Sequence, residues 1–297
     1  MMETRTPHIL AIDGMNFLHR ARAGFNAGDY YVVFNAFRNL RALVEMHSPT
    51  RVYFVTEGHP KWRYDLMSEY KANRVIEQAP DGSAVDPKQV EKLQRERDFY
   101  RQAGLVVQLL SQHFPVSIIR HPDHECDDTI YNLIRRATTA VPWTVCSNDS
   151  DFTQLLGQFP HVRLYNPMTK EFVDDPVDFQ YVTWKALRGD GSDNIPGIPG
   201  IGNKRADEIA SDPDLLREFL SDQEHARIFQ RNYRLIEFKT WSDDEAAQMT
   251  SSSPERNWSA VEKAFTQWEF KSLLKDKTWD KFRNTFDPLW GDTGDVS

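Results

Sequence analysis

Nine acidic residues are candidates for chemistry by their type and spacing. Glu125, Asp127 and Asp128 crowd into ECDD, where Glu125 and Asp128, three positions apart, can face the same way on a helix. Asp149 and Asp151, two apart in SNDSDF, lie on one side of an extended chain. Asp190 and Asp193 make a further pair in GDGSDN, while Asp13 and Glu57 close two apolar runs, HILAID and RVYFVT. Carboxylates so crowded repel one another unless a cation or a helix dipole offsets the charge. Hard oxygen donors without a Cys or His cluster favour Mg²⁺ or Mn²⁺ over zinc, so the expected chemistry is that of a divalent-metal site. A competing zinc set, His121, His124 and Glu125, lacks the HExxH spacing and has no other His or Cys pairing to complete a tetrahedron. No G-x-S-x-G elbow, Walker lysine loop or Cys–His signature offers another chemistry.

The elements that must hold these acids follow from periodicity. Four apolar runs, HILAID (8–13), RVYFVT (51–56), PVSIIR (115–120) and PWTVCS (142–147), read as strands, each followed by acid and then by a helical pattern such as Val33, Phe37, Leu40 and Val44. That alternation predicts an α/β fold, a mainly parallel twisted sheet flanked by helices, in which functional groups collect at the carboxyl ends of the strands. PKQVEKLQRERDFYRQAG predicts a helix started by Asp86-Pro87 and stopped by Gly104, with Lys88, Lys92 and Arg95 on one face. From about Arg188 turns and helices replace strands, which predicts a smaller helical domain. SSSPERN (251–257) reads as a loop before a helix NWSAVEKAFTQWEFKSLL.

Composition bounds the rest. The 297 residues, 40% hydrophobic and 12% aromatic, supply an ample core. The absence of an eighteen-residue apolar run and of a signal-peptide pattern predicts a soluble, cytoplasmic protein. Two cysteines, Cys126 and Cys146, are too few for a disulfide framework. A net charge of −8 argues at first sight against a nucleic-acid partner. Setting aside the nine acids as a metal site takes −8 to +1, and two divalent ions would add +4, so the total is compatible with a DNA-binding face.

HILAIDGMNFLHRA, EYKANR, ECDD, SNDSDF and GDGSDNIPGIPGIGNKRA, in that order, resemble the 5′-nuclease family: flap endonucleases, bacteriophage 5′-exonucleases and the 5′-nuclease domain of bacterial DNA polymerase I. The resemblance runs from about Ile9 to Ala210, and WEFKSLL (268–274) is similar to a late helix of the polymerase-associated members. It implies a PIN-like 5′-nuclease core over residues 1–187, carrying a helical arch or clamp at about 71–121, and a helix-3-turn-helix DNA-binding and C-terminal helical region over 188–297. Asp13, Glu125, Asp127 and Asp128 match the carboxylates for a first metal, and Asp149, Asp151, Asp190 and Asp193 those associated with a second. Glu57 stands where the family usually has Asp, either as a ligand from a relaxed backbone or as an outer partner. Cys126 replaces the usual Ala of that motif.

The same resemblance assigns Lys71 and Arg74 to the base of the arch, with a catalytic role toward the scissile phosphate. Arg95, Arg97 and Arg101 would meet phosphates of a 5′ strand threading the segment from Val75 to Gly104, with Phe99 or Tyr100 as stacking surfaces, and Tyr70 either stacks on a base or packs in the core. Gly200, Gly202, Lys204 and Arg205 would grip duplex backbone, and a monovalent cation, K⁺, would sit on carbonyls of the turn at Gly197, Gly200 and Gly202. The implied enzyme is a monomeric, structure-selective 5′→3′ exonuclease and flap endonuclease using two Mg²⁺ or Mn²⁺ ions on DNA with a 5′ end, flap or nick. RNA–DNA hybrid cleavage in primer removal is a further implied activity, in phage or bacterial DNA replication or repair and, for a phage protein, in the host cytoplasm. Two alternatives stand beside it: a catalytically silent DNA-junction binding protein, and a PIN-type ribonuclease, which normally lacks the arch and the downstream turn.

Overall fold

In the computed structural model the described residues are 6–25, 28–74, 87–138, 141–174 and 180–291. Five short apolar runs make its parallel centre: β1 (Ile9–Asp13), β2 (Arg51–Thr56), β3 (Ser117–Arg120), β4 (Trp143–Cys146) and β5 (Val162–Asn166). All five residues of β1 are buried, as expected of a parallel strand covered on both faces. β6 (Glu171–Phe172) pairs antiparallel with β5 at one edge. A separate antiparallel hairpin joins β7 (Gly189–Asp190) to β8 (Ile195–Pro196), and β9 (Thr250–Ser251) closes the other edge of the main sheet. The order is β6-β5-β4-β1-β2-β3-β9.

Alternation along the strands sorts side chains to two cores. Leu10, Ile12, Val52 and Phe54 face α1 (Gly14–Arg22) and α2 (Tyr31–His47), while Ile9, Ala11, Tyr53 and Val55 share a second cluster with Ile119, Ile130 and Phe238. After β2 comes the short α3 (Lys61–Leu66), and then α4 (Pro87–His113), which packs on α2. α5 (Cys126–Arg136) covers the second face. α6 (Tyr181–Arg188), α7 (Asn203–Ser211), α8 (Pro213–Phe219) and α9 (Gln223–Ile236) build a helical region on two small cores, one of which joins Met67 and Tyr70 to Ala186, Leu235 and Ile236. α10 (Asp243–Ala246) leads to β9, and α11 (Trp258–Gln267) and α12 (Asp276–Phe286) return Val261, Phe265, Phe282 and Phe286 to the cluster of α2 and α4.

Two expectations about helices are corrected. Gly104 does not stop the helix begun at Pro87, which continues to His113. A helix-interior glycine costs about 1 kcal/mol, and buried Ala103, Val106, Leu109 and Leu110 on the same helix outweigh it. NWSAVEKAFTQWEFKSLL is not one helix. It ends at Gln267 in a Schellman turn: the Phe270 N–H reaches the Phe265 carbonyl at 2.9 Å, the Glu269 N–H reaches Thr266 at 3.1 Å, and Glu269 takes φ +59°. The rings of Phe265 and Phe270, 5.3 Å apart, close that turn from the core side, so WEFKSLL packs as turns.

Candidate active site

Parallel strands end side by side, so the acids that close them converge. Asp13 ends β1 and caps α1, accepting from the Asn16 N–H at 3.1 Å and the Ser147 hydroxyl at 2.9 Å. Glu57, just past β2, accepts from the Cys126 N–H at 2.9 Å, which draws the start of α5 toward it. Glu125 is the N-cap residue of α5. One of its oxygens accepts from Arg63 at 2.5 Å and from the Tyr70 hydroxyl at 2.8 Å, and the other from Lys71 at 2.5 Å. Asp127 accepts the Asp128 N–H at 2.7 Å. Asp128 is fully buried, in ion-pair contact with Arg63 and accepting from the Lys239 N–H at 2.8 Å.

A second group faces the first. Asp149 accepts the Asp151 N–H at 2.9 Å, and the Asp151 carboxylate takes the Tyr181 hydroxyl at 2.7 Å and the Lys185 ammonium. Asp190 lies 2.7 Å from Lys185, and Asp193 accepts from Tyr70 at 3.0 Å and from Arg74. Oxygens of Asp151, Asp190 and Asp193 come within 4.8 Å of one another, an all-oxygen set suited to a hard divalent cation. The β7–β8 hairpin delivers two of the three. Gly189 (φ +82°) and Gly197 let its strands touch, since a Cβ on Gly197 would stand 2.0 Å from the Arg188 carbonyl. Lys71, itself at φ +55°, donates its backbone N–H to the Asp193 carbonyl at 2.9 Å, which fixes the ammonium over the carboxylates.

Electrostatics divide the acids. Burial raises Asp13 above the usual carboxylate range. Glu57 and Asp149 keep solvent contact at the rim, yet the surrounding protein desolvates both. Glu57 is pushed up to about 7, with Asp13 and Glu125 adding repulsion, and Asp149 to about 6, with Asp151 adding to it. Asp127 is raised well above its ordinary value, first by burial and then by Asp128 and Glu125. Burial would raise Glu125, Asp128 and Asp190 too, but Arg63 and Lys71 hold Glu125 down, Arg63 holds Asp128 down and Lys185 holds Asp190 down. Nine carboxylates against Arg63, Lys71, Arg74 and Lys185 leave five negative charges when all are ionised.

Residues 8–183 match the family described as 5′-3′ exonuclease, N-terminal resolvase-like domain. The chain belongs to that family. It is 30% identical over 184 residues to a 5′-3′ exonuclease of Streptomyces coelicolor, covering 57% of this chain and 58% of that protein. It is 32% identical over 216 residues to DNA polymerase I of Pseudomonas aeruginosa, covering 67% of this chain and 21% of that protein. Flap endonuclease Xni of Shewanella amazonensis is 29% identical over 214 residues, 68% of this chain and 76% of that protein. The chain thus spans less than two thirds of the length of the first two relatives. A crystal structure of a bacteriophage T5 flap endonuclease in complex with DNA and metal ions aligns with a TM-score of 0.64 at 18% identity, over 95% of this chain and 99% of that one. The T5 5′-exonuclease with zinc ions bound aligns at 0.62 and 20%, over 95% and 98%. The fold is shared with both.

Within this family member the remaining candidates fall in three places. Arg95, Arg97 and Arg101 are exposed on α4, where Arg95 pairs with Glu91 at 2.6 Å and Arg101 with Asp98 at 2.7 Å. Such exposed pairs are weak. Of the threading segment, residues 75–86 lie outside the described residues and 87–104 belong to α4. Gly200 (φ +80°) turns the chain into Gly202, the N-cap position of α7, whose first turn has no side-chain cap and carries exposed Lys204 and Arg205. Among the described residues no helix is long and apolar enough to cross a membrane.

Three alternatives are decided. Tyr70 is buried, its hydroxyl bridging Glu125 and Asp193, so it packs and does not stack on a base. Phe99 is buried against His19 at a ring distance of 4.6 Å, whereas Tyr100 is exposed. The zinc alternative fails because both His121 nitrogens are taken, one by the Glu245 carbonyl and one by the Asp123 N–H. Two buried cations, Arg63 and Lys185, were absent from the reading of the sequence. Lys185 did leave a signal: it is four residues from Tyr181 on the buried stripe of α6.

Proposed function

We propose that the chain is a divalent-metal-dependent 5′-nuclease that hydrolyses DNA phosphodiesters near a 5′ end, as a 5′→3′ exonuclease and flap endonuclease. The observation that carries this reading is the convergence of two carboxylate groups at the strand ends, bordered by Lys71 and Arg74. The donor set fits the ions: every candidate ligand is a carboxylate, and the local charge is strongly negative. Asp13, Glu57, Glu125 and Asp127 are proposed for one Mg²⁺ or Mn²⁺, with the fully buried Asp128 behind them, and Asp149, Asp151, Asp190 and Asp193 for a second. When bound, such ions supply nucleophile activation and charge stabilisation for in-line displacement at phosphorus.

The chain's own residues do the rest. Lys71 and Arg74, held by Asp193, lend positive charge to the phosphate as its negative charge grows. The α4 arginines guide the 5′ strand, and the Gly200–Gly202 turn with Lys204 and Arg205 holds duplex backbone at the exposed N–H groups of α7. In this proposal residues 1–187 are the nuclease core, the DNA-gripping unit begins at 188, and the turn at Gly197, Gly200 and Gly202 takes a K⁺ ion. RNA–DNA hybrid cleavage and a role in phage or bacterial DNA replication or repair belong to the same reading.

The test is cleavage of 5′-labelled flap, nicked duplex and RNA–DNA hybrid by purified protein with and without Mg²⁺. Mg²⁺-dependent release of short 5′ products, lost in Asp127→Ala/Asp151→Ala, is the expected result. Junction binding without cleavage at any divalent-ion concentration would overturn it in favour of a silent binding protein.

A further inference from the structure

Arg63 makes a set of contacts that metal binding does not explain. It is 1% exposed on the short helix α3, and its guanidinium is shared among three residues of α5 and α9. One terminal nitrogen reaches Glu125 at 2.5 Å and Asp128 at 3.0 Å, the other reaches Asp128 at 3.2 Å, and Nε donates to the Leu235 carbonyl in α9 at 3.1 Å. Asp128 thus faces both terminal nitrogens of the guanidinium, through one hydrogen bond and one ion-pair contact. Its exposure is 0%, and the oxygen that accepts from Arg63 at 3.2 Å also accepts the Lys239 N–H at 2.8 Å. One turn further along α5, Asn132 repeats the attachment: its amide donates to the Lys239 carbonyl at 2.7 Å and accepts the Trp241 N–H at 3.0 Å. Residues 235–241, leaving α9, are therefore stitched to α5 and α3 at consecutive points.

One turn back along α9, the same end of the helix also reaches the second carboxylate group. Asn232 donates to the Ala186 carbonyl of α6 at 2.9 Å and to the Pro196 carbonyl of β8 at 2.8 Å, and α6 carries the Lys185 that holds Asp151 and Asp190. A continuous chain of buried polar contacts thus runs from Asp190 through α6, α9 and Arg63 to Glu125.

We infer that Asp128 is not a metal ligand but the anchor of Arg63, and that Arg63 is a positioning residue fixing the Glu125 carboxylate relative to α9 and hence to Asp151 and Asp190. This rests on the nuclease reading above and assigns Asp128 a role different from that of its neighbour Asp127. Of the two, Asp127 keeps a quarter of its side chain open toward solvent, while Asp128 has none. A lysine at 63 could supply charge but neither a second nitrogen on Asp128 nor the Nε contact to Leu235.

The experiment compares the full-length protein with Asp128→Asn, Asp127→Asn, Asp151→Asn and Arg63→Lys. Mn²⁺ binding is measured by the paramagnetic resonance of free Mn²⁺ without DNA, alongside kcat and KM on a 5′ flap and amide hydrogen exchange over 235–241. Asp127→Asn should weaken Mn²⁺ binding about tenfold or more, and Asp128→Asn, which keeps an acceptor oxygen for Arg63 and the Lys239 N–H, should leave it within about threefold of wild type. Arg63→Lys should lower kcat by about 10- to 100-fold with KM nearly unchanged and speed exchange over 235–241. Should Asp128→Asn not fold, the neutral pair Arg63→Gln/Asp128→Asn carries the same Mn²⁺ comparison. Loss of Mn²⁺ affinity from Asp128→Asn equal to that from Asp127→Asn would make Asp128 a ligand and overturn the inference, as would wild-type kcat and exchange in Arg63→Lys. Unaltered Mn²⁺ binding in both Asp127→Asn and Asp151→Asn would instead sink the metal reading itself, a separate outcome.

Discussion

Divalent-ion affinity should fall steeply between pH 8 and pH 5, because carboxylates proposed to bind the ions hold protons that must leave first. Asp149 is pushed up to about 6 and Glu57 to about 7, while Asp13 and Asp127 are raised by burial. Below its pKa each such group lowers affinity by about a factor of ten per pH unit. At pH 5 that is about tenfold for an ion engaging Asp149 and about a hundredfold for one engaging Glu57, and close to nothing for either at pH 8. The metal-free fold shows the same effect with the opposite consequence. Acids whose folded pKa lies above the unfolded value bind more protons when folded, so their contribution to stability falls as pH rises from about 4 to about 7 and levels off above that. Glu125, Asp128 and Asp190, held below their ordinary values, act oppositely: their contribution is present above about pH 4 and lost as pH falls further. The metal-free melting temperature should therefore be highest near pH ~5 and decline toward pH ~7. Mn²⁺ at about a hundred times its Kd adds about 2.7 kcal/mol, or roughly 4 °C for a chain of this size, and should remove the decline. The assay is a Mn²⁺ titration at four pH values beside thermal melts. An affinity constant from pH 5 to 8 would refute the reasoning, because the carboxylates with raised pKa would then lie outside the ion sites.

Lys185→Met leaves Asp151 and Asp190 without their buried counter-charge and should cost about 3–5 kcal/mol in a metal-free chemical denaturation. Mn²⁺ should restore part of that loss, and an unchanged midpoint would contradict the pairing. Gly197→Ala places a Cβ 2.0 Å from the Arg188 carbonyl, so it should open the β7–β8 hairpin, lower the melting temperature and reduce cleavage. Ala at Gly202, where a Cβ meets nothing within 4 Å, serves as the folding control. Glu57→Asp should remain active on a flap substrate, and total loss would show that the longer side chain, which reaches the Cys126 N–H, is required.

The strand-end acids were legible because two periodicities cooperate. Apolar runs of four to six residues mark parallel strands, and an acid at the end of each is the break in that pattern. The counter-charges were not legible for the converse reason. Arg63 in KWRYDL has no local pattern that separates it from a surface arginine, and only partners 62 and 65 residues away make it a buried one. Tyr70 resisted assignment for the same cause, since its two acceptors, Glu125 and Asp193, belong to different elements. The late turns at Trp268–Phe270 escaped because a run of Trp, Phe and Leu fits a helix and a Schellman turn equally well until the core that receives Phe270 is known.

The short stretch from Gly189 to Gly202 shows why acids and glycines occur together here. Asp190 and Asp193 must approach Asp151 from outside the main sheet, and a hairpin with strands of only two residues does this only if its backbones nearly touch, which Gly189 and Gly197 permit. That contact ties the acids to the segment that continues within three residues into the Gly200 turn and then α7. A rigid connection of this length sets the distance between whatever α7 holds and the carboxylates that act on it. On the proposed nuclease reading the arrangement would act as a ruler, with the cleavage position set by backbone geometry and no base being read. A single Gly inserted between Asp193 and Gly197 lengthens the ruler by at most ~3.5 Å, about the rise between successive nucleotides of one duplex strand. The 5′ product should spread over two adjacent lengths on a sequencing gel, whereas an unchanged single product would mean that the cut site is set elsewhere.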